Sequence, residues 1–328
     1  MPKPSELKSL RGARKAKLPN FIAPQLATLV KEPPAGDQWV HELKFDGYRM
    51  LCRIDRGKVR IFSRNAKDWT AKFPTVVDVA KTLKVTSAFL DGEIVIVDAQ
   101  GRSSFQKLQR AMGKSVTTGF VYEVFDLLYL EGFDITRVPL IKRKALLKDL
   151  CGGKRDLLRY SEHLEGNGDA FFKHACEYGI EGILSKLADS PYESTRNRNW
   201  LKVKCNKQQE FVIVGYTPSS KGMPGFGSLI LGVYEKGKLV YAGRVGTGFT
   251  LKLRTELQKE LDKIARKTSP LAFIPKEPAL RQAHWTEPKL IAEVAFTEWT
   301  SDGSIRHPSF QGLREDKSPK EVVRELAK

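Results

Sequence analysis

Lys44 stands in the run Glu42-Leu43-Lys44-Phe45-Asp46-Gly47-Tyr48-Arg49, between two carboxylates, with a glycine and then an arginine following. A free lysine is protonated at pH 7 and cannot attack an electrophile. It becomes a nucleophile where nearby cations or loss of water favour the neutral amine. The segment Trp200-Leu201-Lys202-Val203-Lys204 offers such cations. On a strand, Lys202 and Lys204 point to one face. Two like-facing lysines on an otherwise apolar strand ask for an anionic ligand, and a phosphate clamp that also lowers the Lys44 pKa would answer. Each motif alone reads as a solvated lysine at a strand edge. Together, in a basic chain, they point to phosphate chemistry.

Two glutamates extend the set. Glu93 lies in Leu90-Asp91-Gly92-Glu93-Ile94-Val95, and Glu181 in Gly179-Ile180-Glu181-Gly182-Ile183-Leu184-Ser185-Lys186. A carboxylate in an apolar strand needs a metal, a hydroxyl or a cation as partner. Hard divalent cations such as Mg²⁺ take carboxylate oxygens and bridge to phosphate. Glu181 and Lys186 repeat the carboxylate-then-lysine order of the first motif.

These residues need a scaffold. β-rich runs occupy Tyr48 to Ile54, Lys58 to Ser63, Phe89 to Asp98 (with a turn-like Asp91-Gly92 inside it), Phe120 to Leu130, Gly182 to Leu187 and Trp200 to Cys205. Ser104 to Met112, Arg143 to Leu150 and Asp169 to Tyr178 have helical character. After Asn206 the pattern changes. Short strands at Phe211–Tyr216, Leu229–Tyr234, Leu239–Val245 and Leu290–Trp299 surround one charged helix with Leu251, Leu253, Leu257, Leu261 and Ile264 along its apolar side. A Gly/Pro/Ser loop spans Ser219 to Gly227. Short strands with a single helix suggest a small barrel of the OB type. The expected organisation is a basic, flexible segment over 1–20, an α+β domain over 21–206 and the barrel over 207–328.

At 328 residues the chain has room for two cores. With 41% apolar and 29% charged residues it has the make-up of an ordinary soluble protein, but its formal net charge is +18. The cations run along the whole length, which suits contact with a phosphate backbone. Lys3, Lys8, Arg11, Arg14, Lys15 and Lys17 stand against Glu6 in the opening segment. Cys52, Cys151, Cys176 and Cys205 form no CxxC pair and no ligand spacing with histidine, which argues against structural zinc and makes a reduced cytoplasm the default. No membrane-length apolar run or signal-peptide pattern occurs.

The ordered series Lys44-Phe-Asp-Gly-Tyr-Arg49, Phe62-Ser-Arg-Asn65, Leu90-Asp-Gly-Glu93, Phe125-Asp-Leu-Leu128, Glu181-Gly-Ile-Leu-Ser-Lys186 and Trp200-Leu-Lys-Val-Lys204 resembles the motif series of ATP-dependent DNA ligases. These are covalent nucleotidyltransferases, as are RNA ligases and mRNA capping enzymes. Arg244-Val-Gly-Thr-Gly-Phe249 and the stretch from Arg306 to Lys317 resemble ligase OB-domain elements. Within the family the nearest resemblance is to the ligase module of bacterial LigD. It covers nearly the whole chain after about residue 10, and six motifs in order are far more specific than one.

The resemblance implies an α+β nucleotidyltransferase (adenylation) domain of antiparallel sheets with helices, ATP-grasp-like, followed by an OB-fold β-barrel. It implies that Lys44 attacks the α-phosphate of ATP and carries AMP. Asp46 and Arg49 would organise the nucleophile and its ligand. Glu42, Leu43, Arg49, Arg64, Glu93, Phe125, Lys186, Lys202 and Lys204 would line the nucleotide. Of these, Glu93 would hold a ribose hydroxyl, Phe125 would stack on adenine, and Lys202 and Lys204 would grip the α-phosphate. Glu181, with Glu93, would hold Mg²⁺ or Mn²⁺. Arg306, Arg314, Asp316 and Lys317 would meet the leaving pyrophosphate. The implied partners are nicked or broken duplex DNA and, in a LigD system, Ku and polymerase or nuclease modules. A monomer in the cytoplasm, associated with the bacterial nucleoid, is expected. An RNA ligase, a GTP-using capping enzyme and a non-catalytic DNA end-binding module stay open as alternatives.

Overall fold

In a computed structural model the described residues are 4–113, 119–152, 156–219 and 224–327. The chain separates into a first unit over Met1–Cys205 and a second over Asn206–Leu326. Residues 220–223 of the Ser219-to-Gly227 loop lie outside the described residues.

Two sheets form the first unit. One runs β1 (Arg14–Lys15), β8 (Phe133–Asp134), β7 (Val121–Leu130), β6 (Ser87–Val95), β4 (Tyr48–Asp55) and β5 (Lys58–Ser63). Strand β9 (Leu158–Tyr160) joins it parallel to β7. The second runs β10 (Leu164–Glu165), β3 (Trp39–Leu43), β11 (Gly182–Leu187), β12 (Arg196–Lys204) and β2 (Leu26–Leu29).

Three cores follow from strand alternation. One face of the first sheet packs Tyr48, Met50, Leu90 and Tyr122 against side chains from α1 (Pro4–Ser9), α2 (Pro74–Lys81), α3 (Phe105–Gly113) and α4 (Leu140–Cys151), including Leu7, Val76, Leu108 and Leu147. Its other face shares Leu51, Phe62, Phe89 and Phe125 with Trp200 of β12, which is the seam between the sheets. The far face of the second sheet packs Trp39, Ile183 and Val203 with Ala175 and Phe171 of α5 (Gly168–Glu177).

The structure departs from the sequence expectations at three places here. Residues 4–20 are docked rather than flexible, because Leu7 is fully buried and β1 pairs with β8. Asp91-Gly92 is not a turn, since β6 passes straight through it. The irregularity falls on β7, whose register steps from Asp91↔Asp126 to Gly92↔Val124 and leaves Phe125 as an unpaired bulge residue. Cys176 and Cys205, expected as separate thiols, form a disulfide with Cα atoms 5.3 Å apart. Their separation of 29 residues gave no pairing signal, and α5 beside the end of β12 brings them together.

The second unit is an antiparallel sheet curled about its own core. β13 (Lys207–Pro218) is its longest strand and pairs with β14 (Phe226–Glu235), β17 (His284–Thr286) and β18 (Ile291–Phe296). β15 (Lys238–Val245) follows β14, β16 (Ala265–Arg266) follows β17, and β21 (Ser309–Arg314) follows β18. β19 (Glu298–Trp299) and β20 (Ile305–Arg306) make a short ribbon. Helix α6 (Leu251–Lys263) is capped by the Thr250 side chain and buries Leu257 and Leu261. Among the described residues, no helix is long and apolar enough to cross a membrane.

Candidate active site

The site is built at the seam. Strands β3 and β11 are antiparallel, with Glu42 opposite Leu184 and Leu43 opposite Ile183. The Lys44 N–H continues this ladder to the Gly182 carbonyl at 2.9 Å. The register carries each motif's lysine to the other motif's glutamate. Lys44 Nζ donates to Glu181 Oε2 at 2.5 Å, and Lys186 Nζ donates to Glu42 Oε2 at 2.8 Å. Glycine is required at two points of this frame. A Cβ at Gly182 would stand 2.0 Å from the Val203 carbonyl oxygen, and one at Gly47 2.2 Å from that of Ile94.

Glu42, Lys44 and Lys186 share one face of the second sheet with Lys202 and Lys204, which lie opposite Leu184 and Gly182. Burial works to raise the Glu181 carboxyl, but Lys44, Lys204 and Lys202 outweigh it and hold it below the ordinary glutamate value. The strand spacing placed Lys202 and Lys204 on one face, and the register agrees. Burial likewise opposes the charge on Glu42, and Lys144 and Lys186 overcome it. Lys186 lies 4.3 Å from the Phe125 ring centroid and 4.2 Å from that of Trp200, so its cation faces two π-systems. Burial, reinforced by Lys144 and opposed by Glu42, brings its ammonium down to about 8.

The facing sheet contributes Arg49, Glu93 and Phe125. Arg49 grips buried Asp91 with two hydrogen bonds, Nε at 2.9 Å and Nη2 at 2.5 Å, and donates to the Gln25 carbonyl at 2.6 Å. Tyr192 donates to the same Asp91 at 2.6 Å. Arg49 also lies 5.2 Å from the Phe125 ring centroid. Glu93 stands between Arg49 and Glu123 across the strands. Arg64 follows β5 and is half-buried. Asp46 accepts the Phe105 N–H at 2.9 Å, and its own N–H donates to Ser103 Oγ at 2.8 Å, so this residue ties the Lys44 turn to the start of α3.

Sequence reasoning passed over two side chains on α4. Arg143 is bidentate to Asp126 at 2.8 and 2.9 Å, beside the bulged Phe125. Lys144 donates to Glu42 Oε1 at 2.7 Å. Both are fully buried. Their spacing held the signal, for they occupy the same helical stripe as Leu140, Leu147 and Leu150.

In the second unit the two OB-type elements meet. Thr247 Oγ1 donates to the Pro308 carbonyl at 2.8 Å, the Phe310 N–H donates to Thr247, and Phe249 stacks on Phe310 with centroids 4.5 Å apart. Arg314 binds buried Asp316 through two bonds of 2.9 Å, and Glu293 stands 3.6 Å away. Lys317 pairs with Glu210. Arg306 is elsewhere, exposed on the ribbon and paired with Glu298 at 2.6 Å.

No group of three or more His, Cys, Asp or Glu among the described residues is arranged to hold a metal ion. Mg²⁺ commonly takes only one or two carboxylates and completes its shell with water and phosphate. Glu181, held ionised beside Lys44, fits that minimal donor set.

A family model for the ATP-dependent DNA ligase domain matches residues 23–204, and one for the C-terminal region of these ligases matches 223–317. The chain belongs to the ATP-dependent DNA ligase family. It is 41% identical over 315 residues to the multifunctional non-homologous end joining protein LigD of Pseudomonas aeruginosa, covering 95% of this chain and 37% of that protein. Against the LigD DNA repair protein of Mycobacterium tuberculosis identity is 37%, over 93% of this chain and 40% of the relative. The chain thus spans well under half the length of these relatives. A solved structure of mycobacterial DNA ligase D complexed with ATP and MES superposes with a TM-score of 0.68 at 35% identity, covering 92% of this chain and 98% of that one. The architecture is accordingly a nucleotidyltransferase domain followed by an OB-fold domain.

Proposed function

We propose that this ligase seals 5′-phosphate and 3′-hydroxyl ends of duplex DNA through AMP carried on Lys44, within a double-strand break end-joining system. The exchanged pairs Lys44–Glu181 and Lys186–Glu42 carry the proposal. They set a partly open lysine beside an ionised carboxylate and a cluster of phosphate-binding cations.

Lys44 Nζ, once it has given up its proton, attacks the α-phosphorus of ATP. The P–N bond forms, the P–O bond to the β-phosphate breaks, and pyrophosphate leaves. Lys202 and Lys204 neutralise charge on the α-phosphate. Phe125, packed against Trp200 and Lys186 in this structure, would turn a ring face to adenine as Lys186 moves aside. Glu93 accepts a ribose hydroxyl, and Glu42, Leu43, Arg49, Arg64 and Lys186 complete the nucleotide wall. A Mg²⁺ or Mn²⁺ ion held by Glu181 and Glu93 would supply further charge neutralisation. Arg306, Arg314, Asp316 and Lys317 serve pyrophosphate release. A DNA 5′-phosphate oxygen then displaces Lys44 from AMP, and the 3′-hydroxyl displaces AMP from the DNA. The broken duplex is held by its phosphates without regard to sequence, which the charge of +18 favours. End joining brings Ku and polymerase or nuclease modules as partners, and the LigD relatives support that setting.

The test uses ATP labelled at the α-phosphate, followed by a nicked duplex. Wild type should become labelled and then seal the nick, with GTP giving no label. Label retained by Lys44→Ala overturns the nucleophile. Sealing only of ribonucleotide 3′ ends overturns the DNA reading.

A further inference from the structure

The buried face of α4 carries a cation that the ligation chemistry does not use. Lys144 is fully buried. Its Nζ donates to Glu42 Oε1 at 2.7 Å and to the Ser161 carbonyl at 3.0 Å, and lies 4.7 Å from the Tyr160 ring centroid. Glu42 gives its other oxygen to Lys186 at 2.8 Å, and Ser161 Oγ reaches that same oxygen at 3.4 Å. One carboxylate therefore serves two buried ammonium groups. Stability is a weak reason for such a cluster, because an apolar core of equal volume is commonly as stable as a buried ion pair. The charges do not balance either. Asp126 also lies near Lys186 but is taken up by Arg143, so Lys144 and Lys186 against Glu42 leave room for negative charge from a ligand.

The two lysines approach Glu42 from different quarters. Lys186 comes from the neighbouring strand, with the rings of Phe125 and Trp200 beside it. Lys144 comes from a helix. If Lys186 swings toward an acceptor on a nucleotide, Glu42 keeps a counter-ion because Lys144 is there. Without Lys144, Lys186 would be the sole counter-ion of a buried carboxylate, and moving it would strand that charge.

We propose that Lys144 is a positioning residue for nucleotide binding, holding Glu42 ionised and in place so that Lys186 is free to bond an acceptor on ATP. The inference rests on the nucleotide site proposed above and deepens it. Arg143, its neighbour on α4, does a parallel service by fastening Asp126 next to Phe125. Lys144 also repels Lys186 and so favours its neutral form. Removing Lys144 should therefore strengthen the hold of Glu42 on Lys186 and move the titration of Lys186 upward.

Single-turnover labelling of Lys44, measured against ATP concentration and from about pH 6 to about pH 10, tests this. Lys144→Met should raise the half-saturating ATP concentration about tenfold, leave the limiting rate within about threefold, and move the alkaline limb of ATP binding to higher pH. Lys144→Arg should restore most of the affinity and leave that limb in place. Because Lys144 acts through Glu42, adding Lys144→Met to Glu42→Gln should weaken ATP no further. An unchanged ATP requirement and pH limb in Lys144→Met, with only melting temperature lowered, overturns the proposal, as does full additivity of the two changes. Should Lys144→Met fail to fold, Lys144→Arg decides, and a shifted limb or ATP requirement in that variant counts against the proposal. If Glu42→Gln alone leaves ATP affinity untouched, the nucleotide-site reading has failed. If Glu42→Gln weakens ATP and Lys144→Met does not, only the role of Lys144 has failed.

Discussion

Lys44–Glu181 and Lys186–Glu42 are made of the same two residue types along the same pair of neighbouring chain segments, the first pair just beyond the ends of β3 and β11 and the second within them, yet they are different devices. In the first, the side chains are 20% and 10% exposed, and in the second 0% and 1%. Lys44 has one carboxylate in hydrogen-bond reach and keeps part of its side chain open to solvent. Lys186 is sealed among aromatic rings, and its carboxylate is shared with a second lysine. Residue type sets what a pair can do. Access and the number of counter-charges decide which chemistry it does. A partly open pair can give up its bond to a reaction, whereas a sealed pair can only be rearranged by a ligand that replaces the charge removed.

That contrast can be broken at several points. Lys44→Ala should abolish AMP labelling, a loss of at least about a thousandfold, with the melting temperature nearly unchanged, because the open pair contributes little to the fold. Glu42→Ala should be the costliest change to stability. It strands Lys144 and Lys186 and is expected to cost about 3–5 kcal/mol in denaturant unfolding. Glu181→Ala should cost less than Glu42→Ala in the same measurement, because Lys44 keeps some access to water, while still losing adenylation. Equal losses from the two glutamates would erase the distinction.

Titration sharpens it further. Lys186 is brought from its ordinary 10.5 down to about 8 in the folded chain. Between those values the unfolded chain holds a proton that the folded chain has released, so unfolding free energy should rise with pH across that window, by up to about 1.4 kcal/mol per unit for this one group. ATP affinity that depends on charged Lys186 should fall over the same range, and titration calorimetry would read it. On the acid side both Glu42 and Glu181 sit below their ordinary value. Their stabilisation is complete above about pH 4.5 and is lost as pH falls through the lowered values. The smallest effect belongs to Ser161→Ala, which removes a 3.4 Å contact to Glu42 but leaves the carbonyl bonded to Lys144. About 0.5–1 kcal/mol is expected from thermal unfolding.

Much of the site was legible because its residues sit in short β-rich runs, where a two-residue period places Lys202 and Lys204, or Glu42 and Lys44, on one face. The crossing of partners was not. Nothing local says that the Glu42 carboxylate will meet Lys186, since that depends on the register between β3 and β11, more than a hundred residues apart in the chain. Phe125 was found by type, but its bulge was hidden because two strands must pair before one can hold an extra residue. Arg143 and Lys144 were passed over because a charged residue on a helix draws no notice, although the helical stripe they share with Leu140, Leu147 and Leu150 had placed them inward. The Asp91 network with Arg49, Tyr192 and Gln25 joins four separate segments, which no spacing rule connects.

The strand β1 has a consequence for handling the protein in solution. It lies along β8 at the margin of the larger sheet, and both of its residues, Arg14 and Lys15, are exposed. A bare sheet margin is a template on which another chain can add itself, and arginine or lysine placed there discourages the addition. Arg14 and Lys15 are placed where such charges would oppose self-association. A version trimmed to begin after Lys15 would keep its catalytic residues and lose that guard. It should precipitate at concentrations where the longer chain stays dissolved.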